Sequence, residues 1–243
     1  MNKTLLFMNL FFLRKKYLKY LSIILLSPMI MYAINGLIVS DYLRDDSIKS
    51  WSSIGIWISA PILCSYICAY DIFSSIIGLN KKANFIFNSY TSTVSILLSI
   101  VIVSLFITLI SFLSSYFIIY GLIGVSISGS DFIYLLISVF SLTLFFISIG
   151  LLLALYDRNN IGLAVVMLIC CSAVQFSHSL HSKLEYMYNP IFDIISNCSS
   201  FILKSSEYVF SFKPILIMYL IALIFLAMII YTLAKLIDKR YER

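Results

Sequence analysis

The chain has 243 residues, of which 61% are hydrophobic and only 12% are charged, and its net charge is +6. Soluble domains usually carry about 25% charged residues, so this composition excludes a water-soluble globular enzyme. The apolar residues fall in blocks of roughly 20, the length of helix that crosses a hydrocarbon core about 30 Å thick. Lipid is therefore the main solvent expected for this protein.

Hydropathy predicts an all-α polytopic membrane protein with about six spans, forming a single transmembrane domain over residues 1–243. Read in windows of about 19 residues, the predicted spans are 20–39, 51–70, 94–119, 132–155, 161–177 and 215–234. The span at 161–177 is the shortest and has polar residues at its end, so it is the weakest of the six.

The distribution of basic residues predicts the orientation. With a cytosolic N-terminus, 12 of the 17 Lys and Arg residues lie on the cytosolic side. The outer side then holds only Arg44, Lys49, Lys183, Lys204 and Lys213. The positive-inside rule therefore places both termini in the cytosol, and we expect a bacterial cytoplasmic membrane protein.

The N-terminal segment, 1–19, combines an apolar first half with a basic second half. Residues 5–13 are almost all large and apolar, and Arg14, Lys15, Lys16 and Lys19 follow. This pattern predicts an elbow helix that lies in the headgroup layer and is held there by anionic lipid. The alternative is a frayed basic tail that only sets the topology.

The loop between the second and third spans, 71–90, is predicted to be folded and cytosolic. Ile72, Phe73, Ile76 and Ile77 recur with the spacing of one face of a short helix, and Gly78 offers a stop. Lys81 and Lys82 follow.

The segment 178–213 alternates polar stretches with apolar clusters too short to cross the bilayer. Irregular backbone at membrane depth is tolerated only where protein or a watery cavity shields it. Two interpretations stay open for this segment: a re-entrant pair of helices that caps the outer mouth, or an ordinary outer loop with amphipathic turns.

The predicted spans contain no ionisable side chain between their flanks, and Asp71 and Asp157 lie at cytosolic span ends. Pumps and ion-coupled transporters need such groups inside the bilayer, so ion coupling is disfavoured. The chain also has no GxxxxGK[ST] phosphate-binding loop. We therefore expect no catalytic or cofactor site here, and any ATP must bind to another polypeptide. The basic residues already serve topology, so nucleic acid is not an expected partner.

Two pairs of residues have ligand-like spacing on a helix, Cys64 with Cys68 and His178 with His181. The pairs lie at different depths, and Cys is a common small residue in packed helices. We therefore expect no metal site.

Serines on the third span lie four residues apart at Ser95 and Ser99 and again at Ser111 and Ser115. Such spacing lets helices approach closely in lipid. Plain scatter of serine in a chain rich in Ile and Leu explains the pattern equally well.

The elbow, the six spans, the structured loop at 71–90 and the outer loop at 178–213 together resemble the permease subunits of ABC-2 type exporters. In that family the second-to-third loop carries an acidic residue, a glycine, a short amphipathic helix and a proline-containing turn. Asp71, Gly78 and residues 81–87 occupy the similar stretch here, but the proline is missing. The resemblance implies that this loop contacts a cytosolic ABC ATPase through Ile72, Phe73, Ile76, Ile77, Gly78, Lys81 and Lys82.

The Ile-, Ser- and Tyr-rich composition is similar to that of bacteriocin and lantibiotic self-protection permeases and of phenol-soluble-modulin exporters. This implies an amphipathic peptide cargo and a dimer with a second permease copy or paralogue. Lipid or glycan export is an alternative. A non-transporting immunity or sensor protein that binds a toxic peptide is another, and a neighbouring ATPase gene would separate it from an exporter.

Overall fold

The computed structural model describes residues 3–38, 47–78, 93–124, 128–156 and 211–241, together with 165, 191, 193–195 and 197–198. These residues are helical almost throughout, and no strand occurs among them. Five of their helices are long and apolar enough to cross a membrane. The prediction of an all-α polytopic membrane protein is therefore confirmed.

In chain order the helices are α1 (Lys3–Lys15), α2 (Tyr17–Met31), α3 (Ser47–Gly78), α4 (Thr93–Ile123), α5 (Gly129–Tyr156) and α6 (Lys213–Tyr241). A π-helical segment, Tyr32–Ile38, continues α2. Helices α2 to α6 coincide with five of the six predicted spans. The predicted span 161–177 lies outside the described residues, except for the helical Val165.

Helix α3 is the centre of the bundle. Every residue from 53 to 70 is buried, and the helix packs along α4, α5 and α2. Gly150 of α5 faces Tyr66 of α3 so closely that a Cβ at position 150 would lie 3.0 Å from the Tyr66 ring and 3.2 Å from its carbonyl oxygen. The absence of a side chain at Gly150 therefore allows α5 to lie directly against α3.

Helices α2 and α6 are peripheral. Only 33% of the α2 span and 22% of the α6 span are buried, compared with 94% of the α3 span. The exposed side chains of α6 are large and apolar and recur every three or four residues, as at Leu216, Leu220 and Leu223. An apolar helix face of this kind is stable in contact with lipid or with another membrane helix.

The end of α4 and the start of α5, which follow one another in the chain, are both capped. Gly124 has a φ of 76°, the left-handed conformation favoured by glycine after a helix, and its N–H bonds to the Tyr120 carbonyl at 2.8 Å. On the other side, the Ser128 hydroxyl accepts a hydrogen bond from the Asp131 N–H at 3.3 Å, as an N-cap does. These two caps explain why the long apolar run is divided into two helices.

The C-terminal part of α3 differs from the sequence-based expectation. Helix α3 runs without interruption through Tyr70 to Gly78, so residues 71–78 are its last two turns rather than a separate short helix in a loop. The predicted stop at Gly78 agrees with the end of α3. Residues 79–90 lie outside the described residues.

Candidate functional site

The candidate site is the end of the bundle where the start of α2 meets the end of α3. The Lys19 ammonium forms an ion pair with the Asp71 carboxylate, and the Tyr20 hydroxyl donates a hydrogen bond to the same carboxylate oxygen at 3.2 Å. Asp71 is only 15% exposed, whereas Lys19 is 46% exposed. The ion pair compensates a carboxylate within a spanning helix and joins two helices that run in opposite directions.

Helix α1 is attached to this end through α4. The buried Asn9 side chain donates a hydrogen bond to the Ser99 hydroxyl at 2.9 Å. Ser99 in turn donates to the Ile96 carbonyl at 2.7 Å, so its hydroxyl is oriented to accept from Asn9. Leu13 is also buried, while Phe7 and Phe11 point outward. The N-terminal segment is therefore a docked helix with an open apolar face.

The residues predicted to contact an ATPase fall into three groups: buried core residues, the last residues of α3, and residues outside the described part of the chain. Ile72, Phe73 and Ile76 are at most 3% exposed and belong to the core of this chain. Ile77 and Gly78 are the last residues of α3, and Lys81 and Lys82 lie outside the described residues. A contact through the three buried side chains would require the end of α3 to leave its packing.

The middle of the bundle contains hydroxyl and sulfur groups in contact. Ser111 of α4 donates a hydrogen bond to the Cys64 sulfur of α3 at 3.2 Å, and the Ser27 hydroxyl of α2 lies 4.0 Å from the same sulfur. Ser59 donates to the Met31 sulfur at 3.2 Å. These weak polar contacts connect α2, α3 and α4 without any charge. No group of three His, Cys, Asp or Glu residues in the described part of the chain could hold a metal.

The serine pattern on α4 coincides with its packed face. Ser99, Ser111 and Ser115 are fully buried, and Ser95 is half-buried. Ser115 bonds back to the Phe112 carbonyl at 2.9 Å, which satisfies its hydroxyl within the helix. The serines therefore let α4 pack closely, as small residues do between membrane helices.

Aromatic rings pack the other end of α3. The Trp57 ring lies 5.4 Å from Tyr116 of α4, and Tyr116 lies 5.5 Å from Phe132 of α5, measured between ring centroids. The Trp57 indole N–H is buried and has no acceptor among the described residues. Ring packing therefore contributes to holding this end of the helix.

The described part of the 178–213 segment packs against α5. Residues 193–195 and 197–198 are helical, Ile194 and Ile195 are buried, and the Cys198 thiol donates a hydrogen bond to the Ser138 hydroxyl at 3.1 Å. Ser138 lies about 10 Å along α5 from Asp131 at the start of that span, at 1.5 Å per residue. This contact attaches the segment to α5, and the re-entrant and outer-loop interpretations both stay predictions.

Sequence reasoning missed two contacts, Lys19 with Asp71 and Asn9 with Ser99. The sequence did contain a signal for the contact between Lys19 and Asp71. The predicted topology placed Lys19 and Asp71 at the same end of adjacent antiparallel spans, where opposite charges can pair. The second had no such signal, because nothing in the sequence relates an asparagine in the elbow to one serine among many.

The comparisons with known proteins give no relative: no family model matches the chain, and no curated protein or solved structure is significantly similar to it. Charged side chains of the described spans lie near span ends, as Lys19, Asp71, Asp131 and Lys213 do. The interior of the described bundle offers hydroxyl, sulfur and aromatic groups.

Proposed function

We propose that this chain is the permease subunit of an ATP-driven exporter of the ABC-2 type, which moves amphipathic or antimicrobial peptides out of the cell or membrane. The observation that carries the proposal is the contrast between α3, enclosed on all sides, and α2 and α6, which are open. In this proposal a single copy forms one side of the transport path and does not enclose the path alone.

The route for cargo would lie between two permease copies. Helix α3 occupies the centre of the described bundle and is surrounded by α2, α4 and α5. The open apolar faces belong to α2 and α6. Two permease copies, or a copy and a paralogue, would enclose a path along such faces, with α2 near the interface.

The exposed surfaces of the described helices support the proposed cargo class. Pumps and ion-coupled transporters place ionisable side chains inside the bilayer, whereas the described spans carry charge only near their ends. The open faces present large apolar residues such as Leu25, Met29 and Leu220. Such faces suit a peptide with an apolar side.

A separate cytosolic ATPase would supply the energy, since the sequence has no phosphate-binding loop of its own. Because Ile72, Phe73 and Ile76 are used inside the chain, we place the ATPase contact after them. It begins at Ile77 and Gly78 and includes Lys81 and Lys82, which would meet acidic residues on the ATPase.

Isolation of the complex from its own membranes tests the proposal. Gentle crosslinking, purification and mass measurement should recover two permease copies with an ATPase whose peptides contain a phosphate-binding loop. The double variant Lys81→Glu/Lys82→Glu should lose the ATPase, whereas Lys235→Glu/Lys239→Glu, with the same charge change elsewhere on the predicted cytosolic side, should keep it. A wild-type complex without ATPase would contradict the proposal.

A resistance assay separates export from simple binding of a toxic peptide. Deletion of the chain should sensitise cells to cationic amphipathic peptides, and deletion of the ATPase should do the same. If protection survives loss of the ATPase, the chain acts as an immunity protein and not as an exporter.

A further inference from the structure

The corner between α1 and α2 carries three adjacent exposed cations, Arg14, Lys15 and Lys16. Helix α1 ends at Lys15, Lys16 turns the chain with φ −110° and ψ 22°, and α2 begins at Tyr17. The three residues therefore lie at a structured corner of the backbone and not on a loose tail.

These cations are not neutralised within the described part of the chain. The nearby Lys19 is paired with Asp71, but no described carboxylate lies within ion-pair distance of Arg14, Lys15 or Lys16. The Lys15 ammonium lies 5.1 Å from the Phe11 ring centroid, and the Lys16 ammonium lies 4.6 Å from the Phe12 centroid. Cation–π contacts of this kind orient an ammonium without cancelling its charge.

The residues around the corner are apolar and exposed. Phe7 and Phe11 on α1 are 67% and 55% exposed, and Leu18 and Leu21 on α2 are 61% and 51% exposed. These apolar neighbours add no binding free energy for a free inorganic anion. A phospholipid gains from both parts, since its headgroup meets the cations while its acyl chains lie along the apolar residues.

We propose that the α1–α2 corner is a binding site for an anionic phospholipid. Arg14 supplies the planar donor fork that matches a phosphate oxygen pair, and Lys15 and Lys16 add two point charges. The bound lipid fixes α1 at the membrane surface, while Asn9 fixes it to α4. This site is independent of transport and would exist whatever the chain exports or binds.

Native mass spectrometry of the full chain in detergent tests the site by titration with phosphatidylglycerol and phosphatidylcholine of matched acyl chains. The wild type should prefer phosphatidylglycerol. Each cation near an anionic headgroup contributes roughly a fivefold factor in affinity. The variant Arg14→Gln/Lys15→Gln/Lys16→Gln should therefore bind phosphatidylglycerol about a hundredfold more weakly and lose the preference.

The matched control is Lys235→Gln/Lys239→Gln/Arg240→Gln, which removes the same charge from the end of α6. It should keep the preference for phosphatidylglycerol. Equal losses in both triple variants, or no preference in the wild type, would overturn the proposal. The single variants Lys15→Gln and Lys16→Gln should each lose a few-fold in affinity, which keeps the test valid if the triple variant is unstable.

Excess inorganic phosphate distinguishes a lipid site from a general anion site. If the apolar surroundings contribute, inorganic phosphate should not displace bound phosphatidylglycerol. Displacement of the lipid by phosphate at moderate excess would show that the corner recognises a free anion, and the lipid proposal would then be wrong.

Discussion

Helices α3 and α6 are both apolar enough to span a bilayer, yet they occupy opposite environments. Helix α3 is buried along almost its whole span, although it contains Ser, Cys, Gly and Tyr, while the more uniformly aliphatic α6 is mostly exposed. In a water-soluble protein the more aliphatic helix would be buried and the helix richer in polar residues would be exposed. In lipid, apolar surface needs no burial, and helices associate through close packing and interhelical hydrogen bonds. Small and polar residues therefore mark the centre of this bundle.

The largest expected effect comes from truncating a ring at the buried end of α3. Phe73 is 0% exposed and Phe106 of α4 is 53% exposed. Phe73→Ala should lower the free energy of unfolding by about 3–5 kcal/mol because it leaves a cavity. Phe106→Ala leaves none and should cost much less. Unfolding measured in bicelles or nanodiscs compares the two.

This comparison also decides what Phe73 does. A large loss of stability with Phe73→Ala in the isolated chain shows that the residue belongs to its core. If the isolated chain keeps its stability and only ATPase association is lost, Phe73 is a docking residue, and the buried position of the α3 end described above is wrong.

A smaller effect is expected where α5 meets α3. Gly150→Ala places a Cβ against the Tyr66 ring and backbone, and overpacking of this kind costs about 1–3 kcal/mol. Gly121→Ala in α4 is the matched control, since nothing lies within 4 Å of a Cβ there. Thermal unfolding should separate the two variants. Equal melting temperatures would mean that α5 is not in close contact with α3.

The smallest effect is expected for the Lys19–Asp71 pair, which joins the enclosed helix α3 to the more exposed helix α2. Lys19 is nearly half exposed, so solvent screens the pair and a coupling energy below about 1 kcal/mol is expected. A double-mutant cycle with Lys19→Gln and Asp71→Asn measures it. A coupling several times larger would show that this end of the bundle is far drier than its exposure indicates.

Much of the fold could be predicted from the sequence. Blocks of about 20 apolar residues have few alternatives to spanning helices, and Gly78 is a helix stop that needs no tertiary information. The elbow could be predicted as a helix because its apolar and basic halves are distinct. These features depend on local composition.

The centre of the bundle could not be predicted, because hydropathy reports whether a helix spans and not which neighbours surround it. The same limit applies to Ile72, Phe73 and Ile76, which were interpreted from the sequence as part of an ATPase contact. Their helical spacing correctly indicated one apolar face, but a periodic pattern does not tell whether that face packs on another protein or inside its own chain. The continuation of α3 past Tyr70 turned the face inward.

Labelling from within the membrane tests the contrast between α3 and α6 most directly. A lipid-soluble diazirine, photolysed in vesicles that contain the unmodified protein, inserts into residues that contact the acyl chains, and peptide mass spectrometry locates the products. Peptides of α6 should be strongly labelled at Leu216, Leu220 and Leu223, while residues 53–70 of α3 stay at background. Labelling of α3 to the extent of α6 would contradict the enclosed position of α3.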